Sequence, residues 1–410
     1  MEKNLQSGSD RIEIIDVLRG FALLGIAIVH FIEQYYAGQP PESQGNFGAK
    51  NLADQIIQGI SGILVQGKFF TIFSFLFGLS FFIQLNKGKA SSAFLFRFAW
   101  RLIVLFAIGF VHHLHYRGDI LTIYAVLGFG LLLTYKLPDK ALLIVALFLV
   151  FDVPAFLVRV VQSFSEVAGN QFGSDQKQLQ LYFDTLKSGS YVSILKANVY
   201  EFIPKFNFQV MFGRIYITFG LFLLGLYAGR KNFFGTWENQ IPWIKKICKI
   251  SGWTILGCFV FLGLIFGITA LAKINLNQSL QFAFGGLAFD VFNCCVAVLY
   301  VMGILLLFRK EKWKARLLNL YPLGRMGLTT YLMQALFGTL IYFSFGLGLL
   351  NEFGASIALA LGLAVFATQI QFSKWWFNHF QYGPVEWLWR SLTYFKLQPM
   401  TTKKNLVAAD

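Results

Sequence analysis

An all-α, polytopic transmembrane bundle of about ten spans is the fold this sequence predicts, on three observations. The chain of 410 residues is 56% hydrophobic and only 13% charged, where a soluble domain carries about 25% charged residues. Its mean hydropathy is +0.59. Apolar runs of roughly 20 residues, the length that crosses a bilayer as a helix, recur from Ile14 to Phe372. The runs are continuous, whereas a closed membrane barrel would show segments of about ten residues with alternating polarity.

The first run, 14–36, follows a segment with acids as well as bases and precedes no small-residue cleavage site. It reads as a retained helix, not a signal peptide. Further spans are expected at 68–86, 93–115, 118–136, 140–161, 208–229, 247–272, 282–308, 322–348 and 354–372. The break at 162–205 mixes Ser, Gln, Asp and Lys with Leu, Tyr and Phe, which suits a partly helical cap outside the membrane. After the last span, Trp375, Trp376, Trp387, Trp389 and Tyr394 cluster with Lys374 and Arg390, as in a segment anchored at the interface. Residues 1–395 form one helical domain, with a five-helix part at 11–161 and a C-terminal part at 206–395; 396–410 is a cytoplasmic tail.

The formal charge is +15, carried in short connections rather than in one aromatic-interleaved stripe, which excludes a nucleic-acid partner. Lys87, Lys89, Arg97, Arg101, Lys136, Lys140, Arg230, Lys231, Arg309 and Lys310 fall on one side of the alternation, and only Lys50, Arg117 and Lys273 on the short connections of the other. Short cytoplasmic loops retain bases, so ten spans put both termini in the cytoplasm. Cys248, Cys258, Cys294 and Cys295 imply neither a disulfide framework nor a metal site. No short-period repeat, nucleotide-binding loop or nucleophile elbow is present.

Function must therefore be sought among ionisable groups inside the spans, each of which costs roughly 2.5–3.5 kcal/mol at mid-membrane. In the first span Arg19 and His30 are eleven positions apart, which puts them within about 20° of each other around a helix and about 16 Å apart along it. Asp16 and Glu33 share that face. The functional reading makes this stripe a site; the bland one makes Asp16 and Arg19 an ion pair and His30 a hydrogen-bonded buried residue. A second cluster, His112, His113, His115, Arg117 and Asp119, falls at the opposite membrane surface. Histidine is the side chain most readily tuned to move protons. The cluster lacks metal-ligand spacing, and no metal is expected. Asp152, Asp290 and Asn293 read as helix-packing hydrogen bonders.

The segment DVLRGFALLGIAIVH resembles the start of the YeiB-like bacterial membrane proteins. Four later blocks carry the same resemblance: Gly67, Lys68, Phe69, Phe73, Ser74, Phe77 and Gly78; Gly118, Asp119, Ile120, Leu121, Tyr124 and Ala125, with His112 before them; Gly324, Arg325, Met326, Leu328, Thr329, Tyr331 and Gln334; and Gly383, Pro384, Glu386, Trp387, Trp389 and Arg390. It spans roughly 11–395. YeiB-like proteins are similar in turn to transmembrane acyltransferases, among them the acyltransferase-3 proteins and heparan-alpha-glucosaminide N-acetyltransferase. The acyltransferase-3 hallmark of a base, ten residues and a histidine is matched by Arg19 and His30.

The resemblance implies an integral membrane acyltransferase that moves an acyl group, acetyl foremost, from cytoplasmic acyl-CoA to a sugar, lipid or small-molecule acceptor. In that reading His30, Glu33, His112 and Asp119 are catalytic candidates, and Asp16, Arg19, Lys68, His113, Arg325 and Arg390 substrate-binding candidates. Membrane lipids, acyl-CoA and an unidentified acceptor are the partners, and a homodimer is admitted. The rival is a transporter or exporter using the Arg/His/Glu stripe as its path.

Overall fold

The computed structural model describes residues 12–164, 175–274 and 277–401. The expected tail beyond Thr401, the first eleven residues and 165–174 of the expected cap lie outside the described residues. Among the described residues eighteen α-helices follow one another: α1 (Glu13–Ile32), α2 (Leu52–Leu64), α3 (Phe69–Lys87), α4 (Ser92–His115), α5 (Leu121–Thr134), α6 (Asp139–Val150), α7 (Val153–Ser163), α8 (Gln176–Ser188) and α9 (Tyr191–Tyr200) form the first half. α10 (Phe202–Met211), α11 (Arg214–Arg230), α12 (Ile241–Leu271), α13 (Gln278–Phe308), α14 (Glu311–Leu317), α15 (Tyr321–Arg325), α16 (Gly327–Tyr342), α17 (Ala355–His379) and α18 (Pro384–Tyr394) form the second.

Among the described residues six helical stretches are long and apolar enough to cross a membrane, and eight if the bent pairs α6–α7 (44°) and α10–α11 (73°) each count as one. α5, with 14 residues, is a shorter apolar helix. The chain is thus an all-helical, multi-pass membrane protein. Every expected span coincides with helix, but three of them are not single rods. The 140–161 span breaks where Asp152 adopts a left-handed conformation (φ 51°) ahead of Pro154, whose missing N–H suits the first turn of a new helix. The 208–229 span breaks at Gly213, whose φ of 72° favours glycine. The 322–348 span is split at Met326 into α15 and a 16-residue α16.

α1 occupies the centre, packed against α3, α15, α16 and α17. Its Val17, Leu18, Ala22, Leu23, Ala27 and Phe31 are fully buried. α3 and α11 cross at their glycines: a Cβ on Gly78 would land on the carbonyl of Phe222, and one on Gly225 on the carbonyl of Phe75. Lipid supplies no hydrophobic drive between helices, so such close backbone approach, with its dispersion contacts, does the holding. α12 lies at the periphery, with none of its apolar window buried.

At one end of the bundle gather the bases of the α3–α4, α5–α6 and α11–α12 connections, where Arg230 bonds the carbonyl of Leu137 and, at 2.9 Å, Asp139. α18 lies across this basic end: Trp389 Nε1 donates to the carbonyl of Arg101 at 3.0 Å, and Arg101 stacks on the Trp389 ring at 3.9 Å. At the opposite end α8 and α9 form the expected helical cap. Tyr182, Phe183, Leu186 and Ile194 pack on Tyr35, Tyr36 and Tyr116.

Candidate functional site

A cavity of about 300 Å³ enters the bundle from the basic end. Arg19 of α1, Arg101 of α4, Arg325 of α15 and Arg390 of α18 line it, with Glu386 as the lining carboxylate. Its depth is apolar, walled by Phe73, Phe77, Leu105, Ile120 and Tyr124, and Tyr331 contributes to the inner wall. The arginines are held in place: Arg19 bonds Asp16 and Ser80, both at 2.5 Å, Arg101 bonds Gln84 at 2.9 Å, and Arg325 lies 3.9 Å over the Phe377 ring. Glu386 is already used, accepting from the N–H groups of Leu328 and Thr329 at 2.7 and 3.0 Å and so capping α16. The cavity therefore offers a net positive, preorganised mouth and a greasy throat, the pattern that takes an anionic head with an uncharged arm.

Behind the inner wall lies a cluster of histidines and tyrosines. The ring of Tyr331 sits 5.0 Å from that of His112 and 6.3 Å from that of His30, and Tyr116 lies 5.9 and 5.3 Å from the same two. His112 Nδ1 faces Asp119 Oδ1 at 2.9 Å. Asp119 also accepts from the N–H groups of Leu121 and Thr122, both at 3.0 Å, and from the Thr122 hydroxyl at 2.7 Å, so it caps α5. The Lys205 ammonium stands 3.5 Å from its Oδ2. His112 thus meets Asp119 through Nδ1 and turns Nε2 to the other side of its ring. That Nε2 is buried and has no hydrogen-bond partner among the described residues. A carboxylate holding one ring nitrogen while the other is bare is the geometry of a general base.

The remaining expected residues divide around this pair. Arg19, Arg325 and Arg390 line the cavity and Asp16 anchors Arg19. His30 lies beyond the cavity wall, among the Tyr35, Tyr116 and Tyr331 rings. Glu33 accepts from Gln66 at 2.9 Å. His113 is committed at both nitrogens, to the carbonyl of Asn198 at 2.7 Å and to Lys205 at 3.2 Å. Lys68 lies off the cavity, where its ammonium donates to the carbonyls of Gly62 and Gln66 at 3.0 and 2.9 Å and closes the end of α2. Sequence reasoning missed Arg101, Glu386, Tyr331 and Lys205 as site residues. Tyr331 and Glu386 stood in the family-like blocks, whereas Arg101 was indistinguishable from a topology-setting base. Lys205 stood at the very end of the cap segment.

A multi-pass helical protein with an internal charged cavity is the class that fold and site define. The family model described as "Protein of unknown function (DUF418)" matches residues 228–396. "Uncharacterized protein YxaH" of Bacillus subtilis (strain 168) is 31% identical, over 97% of this chain and 98% of its own length. "Uncharacterized protein YeiB" of Escherichia coli (strain K12) is 27% identical over 95% of this chain and 98% of its own length. The chain belongs to this YeiB-like family. No solved structure matches it.

Proposed function

We propose that the chain is an acyl-CoA-dependent acyltransferase of the bacterial inner membrane, with about ten spans and its basic end and both termini in the cytoplasm. The observation that carries this reading is the alignment, across Tyr331, of a four-arginine cavity with a buried His112–Asp119 pair whose outer ring nitrogen has no hydrogen-bond partner among the described residues. The arginines suit the phosphates of a CoA donor, and the apolar throat suits its extended thioester arm. His112 Nε2 takes the proton of an acceptor hydroxyl or amine as that atom attacks the thioester carbon. The carbon–sulfur bond breaks, and the imidazolium returns the proton to the departing thiolate. Tyr331 must swing aside for donor and base to meet; His30, one wall away from Arg19, then faces the acceptor side.

The test is acetyl-CoA turnover by the purified chain in detergent. His112→Ala is expected to lower kcat by roughly 10²–10⁴-fold, and Arg101→Ala or Arg390→Ala to raise KM and to leave it less sensitive to salt than the wild type's. Full turnover in His112→Ala would end the assignment of the base. A second reading, transport of a metabolite or lipid, draws on one observation: the bent pairs α6–α7 and α10–α11 meet, with Gly213 against the Asp152 carboxylate. Substrate flux in liposomes without acyl-CoA would favour it.

A further inference from the structure

Apart from the arginine-lined cavity, a crevice of about 410 Å³ opens between α2, α12 and α13. Gly59, Gly62, Gly285, Phe259, Phe289 and Phe292 are among its walls, no charged side chain lines it, and Gln66 is its polar end. The three glycines are interior to helices, where glycine weakens the helix relative to alanine. None has the left-handed φ that would require it, and a Cβ added at any of them meets nothing within 4 Å. Packing inside the chain therefore does not explain them, while a chain-like guest lying against bare backbone does. The aromatic wall is pinned from behind, because the Lys68 ammonium lies 5.6 and 5.0 Å over the Phe289 and Phe292 rings.

We infer that this crevice binds the acyl chain of a membrane lipid and that the lipid's head group carries the acceptor hydroxyl or amine, an inference that rests on the acyltransferase reading. Three things favour such a guest. The crevice is walled by membrane-spanning helices, so lipid is the solvent at its mouth. It is a slot rather than a flat face, which suits one hydrocarbon chain better than a second copy of α12. And its apolar length ends in polarity that leads to the site: Gln66 donates to Glu33 at 2.9 Å, and Glu33 stands one turn beyond His30 on the chain. An amphiphile with its chain in the slot would present its head group at Glu33 and His30.

The experiment places the full chain in nanodiscs of phosphatidylethanolamine and phosphatidylglycerol doped with a phospholipid bearing a photoactivatable diazirine on its acyl chain. Crosslinks are mapped by mass spectrometry. Labels are expected to concentrate on 59–66 and 285–292, to fall roughly tenfold or more in Gly62→Phe/Gly285→Phe, and to persist in Gly62→Ala/Gly285→Ala and in Gly267→Phe on α12. Even labelling of α12 that the filling substitutions leave untouched would overturn the proposal. So would a dimer in native mass spectra that those substitutions dissociate, since a second copy would then own the crevice. Acetyl-CoA hydrolysis without acceptor is read on the same proteins. Hydrolysis intact with labelling absent removes the lipid and spares the acyltransferase; labelling intact with no turnover in any protein keeps the lipid site and removes the acyltransferase.

Discussion

His112 and His113 are neighbours in sequence with opposite fates, decided by what each ring nitrogen meets. His113 is spent on the Asn198 carbonyl and Lys205, whereas His112 keeps Nε2 bare. Nothing in the run of residues separates them, because the distinction arises from α9 and α10, about 85 positions later in the chain. Arg19 and His30 were readable as one face of a helix, yet the face is divided by a wall: Arg19 lines the cavity and His30 does not. Asp119 is the acceptor for the Leu121 and Thr122 N–H groups and the Thr122 hydroxyl and meets the His112 ring. Asp119→Ala strips all of these and should cost about 1–3 kcal/mol, read as a lower Tm in detergent; an unchanged Tm would show that the cap is not what stabilises.

At the scale of elements, hydropathy located the helices and failed at their breaks and at α2. α2 carries Leu52, Ile56, Ile60 and Ile63 at helical spacing, and Asn51 and Asp54 cap each other's N–H groups. Its moderate length and the flanking glycines hid it inside what reads as a loop. The breaks at Asp152 and Gly213 were hidden because each flank alone is apolar, and hydropathy is blind to a turn made by a single left-handed residue. The α3–α11 crossing makes a sharper claim. Gly78→Ala puts a methyl where the Phe222 carbonyl lies, and overpacking of this kind costs about 1–3 kcal/mol. Gly252→Ala on α12 meets nothing within 4 Å and should hold or slightly raise stability. Thermal unfolding of the two variants in detergent checks the contrast, and equal Tm values would refute the packing argument.

For the whole molecule, ten spans were expected, and six to eight helical stretches among the described residues are long and apolar enough to cross; α5 and α16 are helical but shorter. The positive-inside alternation is a statement about insertion, so it is tested on cells. With the four native cysteines replaced by serine, Asn351→Cys should react with an impermeant maleimide from outside, and Lys312→Cys only after permeabilisation. The reverse pattern would invert the bundle and put the arginine-lined mouth on the wrong side for a cytoplasmic donor.

The thin partition at Tyr331 has an electrical consequence. A cavity that reaches from one end of the bundle to Ile26, Leu105, Leu121 and Tyr331 leaves these side chains and the buried Tyr35, Tyr36 and Tyr116 rings beyond them as the insulator. With solvent in the cavity, a membrane voltage drops over that shortened stretch instead of the full bilayer. A proton passed between the two compartments would feel most of that drop, about 2.3 kcal/mol per 100 mV, so the energised state of the cell would bias whichever reaction this layer divides.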